Sequence, residues 1–164
     1  NLLALKPQGI LTDTQLILKE NQPSYILTRF DQLGWRARDN IPQVQNLSGV
    51  LNWQPDEGRL ELDSEKTLLA LKGYPVLNFD LLNGAFDWKQ LSDGLRVSID
   101  RFVLSQPELT ISTQGAIDQV TLNSIGNIRL ITEFSAKNLQ QWVAFLPEKH
   151  LKAKLYFWLN LNLH

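Results

Sequence analysis

The chain is 164 residues long, 43% hydrophobic and 20% charged. That is enough for one domain burying roughly 70% of its unfolded surface, and too apolar for a disordered segment. A net charge of −1 and a pI near 6.1 exclude nucleic acid as an electrostatically recruited partner, because such binding depends on clustered lysine and arginine. Cysteine is absent, which removes disulfides, thiol catalysis and cysteine metal sites together. No run of about 18 apolar residues occurs, no signal peptide opens the chain, and methionine is missing. The expectation is a processed or excised piece of a longer protein whose targeting and anchoring segments lie elsewhere.

Period-2 alternation dominates from the start. After a turn at Lys6-Pro7-Gln8-Gly9, Leu16-Ile17-Leu18 reads as strand, and Asn21-Gln22-Pro23 turns the chain into Ile26-Leu27-Thr28-Arg29-Phe30. Strands follow at Leu47–Trp53 and Arg59–Asp63, around the turn Gln54-Pro55-Asp56-Glu57-Gly58. Leu82–Trp88 and Leu95–Asp100 flank Ser92-Asp93-Gly94, and Leu109–Thr113 follows Gln106-Pro107. Ile128, Leu130, Thr132 and Phe134 then alternate with mostly polar neighbours. Connections this short predict about nine or ten strands, mostly antiparallel.

The C-terminal part breaks the rule. Asn138 is placed to cap a short helix through Leu139–Leu146, stopped by Pro147. Over Glu148–Leu159, Leu151, Leu155, Trp158 and Leu159 recur at helical spacing, opposite Lys149, Lys152 and Lys154. The organisation is therefore one unit over 1–164, mostly β over 1–135, with one or two short helices within 138–159. The last ten residues also alternate as a strand, through Leu155, Phe157, Leu159, Leu161 and Leu163, and periodicity does not decide between the two.

One motif occurs twice. Leu47-Ser48-Gly49-Val50-Leu51-Asn52-Trp53, followed by Gly58 and an alternating run, returns as Leu82-Asn83-Gly84-Ala85-Phe86-Asp87-Trp88, followed by Gly94 and another. Gly49 and Gly84 are 35 residues apart. A two-strand unit of that length cannot bury its apolar side alone and must stack on its neighbours, which predicts an extended β-sheet array.

Catalytic chemistry is hard to assemble. His150 and His164 are the only histidines, one in a lysine-rich stretch and one at the terminus, so neither a Ser-His-Asp set nor a metal cluster can be built. Asp56 and Glu57 lie in a turn whose propensity already accounts for them. The glycines are dispersed and match no phosphate loop. Lys149, Lys152 and Lys154 could meet anionic headgroups, but a solvated helix face is the simpler account. The five tryptophans, Trp35, Trp53, Trp88, Trp142 and Trp158, read first as packing anchors. The reading is of a non-enzyme without cofactor or metal.

Several short words then converge. Ile41-Pro42, Asn46-Leu47-Ser48-Gly49, Gly58-Arg59-Leu60-Glu61-Leu62-Asp63, Leu82-Asn83-Gly84 with Trp88, Gly94 and Ile99, Leu146-Pro147 and Trp158-Leu159 resemble the AsmA-like envelope proteins of the YhdP type, as does the opening Leu5-Lys6-Pro7-Gln8-Gly9 with Leu16. The resemblance implies an internal periplasmic segment of a long protein, anchored by an N-terminal helix in the inner membrane of a Gram-negative bacterium. It further implies a continuous curved sheet with an apolar inner groove, phospholipid movement towards the outer membrane, and support of that membrane's permeability barrier. It carries over no catalytic residues.

On this reading the groove floor comprises Leu51, Trp53, Leu60, Leu62, Phe86, Trp88, Val97, Ile99, Leu109, Ile111, Ile128, Leu130 and Phe134. The expected partners are phospholipid acyl chains, neighbouring segments of the same protein and other envelope proteins. The competing reading is a closed β-sandwich, a structural or protein-interaction module in which the same side chains form a dry core.

Overall fold

The computed structural model describes residues 5–38, 41–70, 76–121 and 126–137. Within them the chain forms eight strands: β1 (Gln8–Lys19), β2 (Gln22–Trp35), β3 (Gln43–Trp53), β4 (Glu57–Ala70), β5 (Leu77–Leu91), β6 (Gly94–Gln106), β7 (Leu109–Val120) and β8 (Ile128–Ala136). They make one sheet in chain order, and each neighbouring pair is antiparallel. The sheet is open, because β1 and β8 each pair on one side only. No second sheet faces it among the described residues, so the sandwich architecture is not what this sequence forms there. The helices expected within 138–159 lie outside the described residues, as do Trp142, Trp158 and both histidines.

Tight turns explain the up-and-down order. Glu20 and Asn21 join β1 to β2 with φ of 52° and 62°, the left-handed pair that matches the twist of a two-residue hairpin. Ser92-Asp93 joins β5 to β6, and Pro107-Glu108 joins β6 to β7, where proline presets a turn and has no N–H to lose. Between β3 and β4, the Gln54 amide donates to the Glu57 carbonyl at 2.8 Å. The Asp56 carbonyl accepts from the Gln90 amide on β5 at 2.6 Å, fastening one hairpin to the next.

The strands are interrupted by bulges. Gln32, Asn46, Lys66 and Arg101 lie inside strands yet have φ between 37° and 64°. The register slips beside Gln32 in the β2–β3 pairing, at Asn46 in β3–β4, and at Arg101 in both β5–β6 and β6–β7. Such insertions bend a strand and raise its twist. Side chains staple the first three together. Ser64 Oγ accepts from the Ser48 amide at 2.7 Å and donates to the Ser48 carbonyl at 2.9 Å. The Gln32 amide donates to Ser48 Oγ at 3.0 Å, and Asn46 Nδ2 donates to the Glu65 carbonyl at 2.8 Å.

The most enclosed side chains lie in the middle of the sheet. Phe30, Leu62, Phe79 and Leu82 form a cluster, each no more than 8% exposed, with Leu47, Leu51, Leu60, Phe86, Phe102 and Leu104 packed around it. Burial falls away towards the edge strands, where Leu16 on β1 and Phe134 on β8 are exposed.

Candidate functional site

Residues directly opposite each other in an antiparallel pair point to the same side of a sheet, so the register alone assigns the faces. One lane of cross-strand partners runs Thr28, Leu51, Leu60, Phe86, Ile99, Gly115, Leu130 from β2 to β8. A second runs Ile26, Trp53, Gly58, Trp88, Val97, Ile117, Ile128. A third places Phe30, Gly49, Leu62 and Gly84 in succession. Further along the strands, Ser64, Leu82, Leu104, Ile111 and Phe134 align, and Leu109 stands opposite Ala136. All thirteen residues expected on the floor thus share one face of one sheet, and the lanes cross every strand from β2 to β8.

Their environments differ. Leu62 and Leu109 are buried at 8% and 7%, whereas Ile128 and Phe134 on the last strand are 57% and 65% exposed. The Phe86 ring meets Phe102 with centroids 4.9 Å apart and tilted by 55°, a favourable aromatic pairing. Trp88 lies over Gly58, which has no side chain to obstruct it; a methyl there would collide with the indole. Trp35 donates its indole N–H to the Pro42 carbonyl at 2.8 Å and so anchors the end of β2. The few hydroxyls on this face are engaged. Thr14 pairs with Thr28 at 2.8 Å, Thr113 pairs with Thr132 at 3.1 Å, and Ser64 is spent on Ser48.

The reverse face is charged. Arg59 on β4 donates Nε to Glu61 and Nη1 to Asp87, both at 2.6 Å, and lies 3.7 Å from Asp100. The bonds to Glu61 and Asp87 hold its guanidinium above the usual arginine range, so it stays charged at any accessible pH. Arg129 and Arg96 share Asp118 at 2.8 and 3.2 Å, and Lys89 meets Glu57 at 3.4 Å. Cross-strand pairing of opposite charges accounts for this surface without any chemistry. Glu57, suspected of nothing more than turn formation, is such a partner. Among the described residues no group of three or more acidic or histidine side chains could hold a metal, and no helix is long and apolar enough to cross a membrane.

The register adds residues that sequence reading missed. Ile26, Phe30, Leu82, Phe102, Leu104 and Ile117 belong to the same face. For Ile26 and Phe30 the signal existed, since both fall on one parity of an alternating run. For Phe102 it did not. Ile99 and Phe102 are three residues apart, a separation that puts side chains on opposite faces of a regular strand, and only the bulge at Arg101 brings them to one face.

No curated protein and no solved structure matches the chain. The family model described as YhdP protein matches residues 1–164, the whole length, and the chain therefore belongs to the YhdP family.

Proposed function

We propose that this chain is a non-catalytic, lipid-conducting segment of a periplasmic protein anchored in the inner membrane, with its apolar face carrying phospholipid acyl chains towards the outer membrane. The observation that carries the reading is the lane Ile26, Trp53, Gly58, Trp88, Val97, Ile117, Ile128, which crosses β2 to β8 without a polar side chain on one face of an open sheet, with largely apolar lanes beside it. Membership of the YhdP family supports it. An acyl chain on such a face gains on the order of 0.8 kcal/mol per buried methylene, so a dozen contribute roughly 10 kcal/mol before entropy costs. The attraction is non-directional, and the hydroxyls that could trap a polar group already have partners. A lipid can therefore move from strand to strand in steps of about 4.8 Å without a deep well at any one residue. Neighbouring segments of the same protein and other envelope proteins are its partners on this reading.

The test is organic extraction and mass spectrometry of lipid from the purified chain beside a Val97→Asp/Ile128→Asp variant, each shown to be folded by circular dichroism. Stoichiometric phospholipid on the wild type and little on the variant is the expected result. No lipid on either, with a cooperative unfolding transition, returns the protein to the class of structural modules. Ser98 on the reverse face supplies the control. It stands opposite Asp87, so Ser98→Lys is the appropriate change and Ser98→Asp would set two carboxylates against each other.

A further inference from the structure

Residues with positive φ line up across the first strands of the sheet. Gly9 on β1 (139°), Gln32 on β2 (52°), Asn46 on β3 (64°) and Lys66 on β4 (53°) lie at nearly the same level, each close to the next. A Cβ on Gly9 would come within 2.8 Å of the Cα of Leu33, the residue after Gln32. The line continues into β5. Phe79 and Leu82 are three residues apart yet share one buried cluster, and the partners Glu65–Leu81 and Thr67–Phe79 place that change of parity opposite Lys66. Arg101 on β6 is off the line, since the register slips there opposite Gly84. Only short strand ends lie beyond the line: residues 33–35 of β2, 43–45 of β3, 67–70 of β4 and 77–79 of β5.

A left-handed backbone is unfavourable for Gln32, Asn46 and Lys66, which carry a Cβ, and such residues persist only where their surroundings over-determine them. Here a polar ladder does so. Between Gln45 and Gly49 the backbones of β3 and β4 have no paired residues, and side chains bridge that gap. Asn46 Nδ2 donates to the Glu65 carbonyl at 2.8 Å, and Thr67 Oγ1 returns a bond to the Asn46 carbonyl at 3.2 Å. Ser64 Oγ takes the amide and the carbonyl of Ser48, whose own Oγ accepts from the Gln32 amide. Apolar side chains meet above the same line. Phe79 from beyond it forms one buried cluster with Phe30, Leu62 and Leu82 from before it, and Leu33, Leu69 and Leu77 from beyond it pack against that cluster. The strand ends therefore bend towards the apolar face.

We propose that this line is a locked crease, in which the polar ladder holds the ends of β2 to β5 bent over the apolar face before anything lies on it. Hydrogen bonds from side chain to backbone are directional and fix an angle, whereas apolar contacts tolerate a range of them. The concavity is then preorganised, and a molecule arriving on the face meets a shape it does not have to create. The proposal concerns the curvature and stands whatever the face receives. Its rival is a bend that forms only when an occupant draws the two limbs together.

Amide hydrogen exchange on the full chain, first lipid-free and then with phosphatidylglycerol vesicles, separates the two. In the lipid-free protein residues 43–45 and 67–70 are expected to be protected to within about tenfold of residues 59–61, with no further protection when vesicles are added. Ends that exchange a hundredfold faster than 59–61 and become protected only with vesicles overturn the locked crease in favour of the induced bend. Asn46→Gly/Thr67→Val then cuts the ladder between β3 and β4, since glycine keeps the left-handed backbone open to residue 46 while removing its amide, and valine removes the hydroxyl. The expected result is exchange about tenfold faster at 43–45 and 67–70 with 59–61 unchanged. Thr67→Val alone is the milder variant and should give a smaller acceleration at the same amides. No acceleration in either variant assigns the bend to the apolar cluster, and equal acceleration at 59–61 reduces the ladder to general stability; both overturn the proposal. Lys66→Gly leaves the ladder whole and should leave all these rates as they are.

Discussion

At the scale of single residues, the apolar face is shaped as much by missing side chains as by present ones. Gly49 on β3 stands between Phe30 and Leu62, Gly84 on β5 lies beside Leu62 and Phe102, and Gly115 on β7 lies between Ile99 and Leu130. Large and absent side chains thus alternate across the strands, which lets neighbouring backbones close up on the inner side while the large groups fill the gaps. A Cβ at Gly49 would collide with the Glu61 carbonyl and approach the Phe30 ring. Gly49→Ala is therefore expected to cost about 2 kcal/mol, read as a fall of roughly 4–8 °C in melting temperature. Arg59 makes the opposite case. Its ion pairs are short, but its side chain is 38% exposed, so screening and side-chain entropy limit their worth to about 1 kcal/mol or less. Arg59→Gln should lower stability by that amount in low salt, and a urea titration in 1 M salt should shrink the difference towards zero, since the Debye length there is about 3 Å.

At the scale of elements, the bulges decide which residues meet. Asn46 and Lys66 let β3 and β4 each change parity, so that Val44 joins Leu47 and Thr67 joins Ser64 on the apolar side. Ser64 is fully buried and satisfies both the amide and the carbonyl of Ser48. Replacing it by alanine leaves those two backbone groups without their partner, at a cost of about 1–3 kcal/mol. Denaturant melts of Ser64→Ala should show that loss, and amide exchange at Ser48 should accelerate more than at Leu60, which lies away from the bulge. Equal acceleration at both would argue for global loosening instead of a local pin.

At the scale of the whole molecule, the open edges set the behaviour in solution. Ile10, Leu11, Leu16, Ile17 and Leu18 on β1, and Ile128, Leu130, Ile131 and Phe134 on β8, are exposed, and they occupy both faces of the outermost strands. Edge strands that natural proteins leave bare are normally guarded by charge or proline. Here β1 carries only Asp13 and Lys19 and β8 only Arg129 and Glu133 among their exposed apolar residues, so the chain should self-associate with rising concentration in sedimentation velocity, and Ile17→Lys/Ile131→Lys should hold it monomeric. The two substituted residues lie on the reverse face, so lipid content measured alongside should not change. Eight strands spaced by about 4.8 Å make a floor roughly 34 Å across, and extension beyond it depends on what pairs with those edges.

Much of this fold follows from short-range physics. Alternating apolar residues, turn chemistry around Asn21-Gln22-Pro23 and Ser92-Asp93-Gly94, and the recurrence of Gly49 and Trp53 as Gly84 and Trp88 are local signals, although the first turn closes one residue earlier, at Glu20-Asn21, and leaves Pro23 within β2. They suffice for an antiparallel hairpin array with Leu51, Trp53, Phe86 and Trp88 on one side, because parity within a regular strand is a local property. Faces cease to be readable where parity changes. At Arg101, Asn46 and Lys66 the switch depends on a left-handed backbone stabilised by neighbouring strands, which no window of sequence contains, and Phe102, Leu104 and Val44 were invisible for that reason. Sequence by itself determined which residues are apolar, where the chain turns and that the units repeat. Only the register of the folded sheet decided which side chains share a face, because it is fixed by hydrogen bonds between residues distant along the chain.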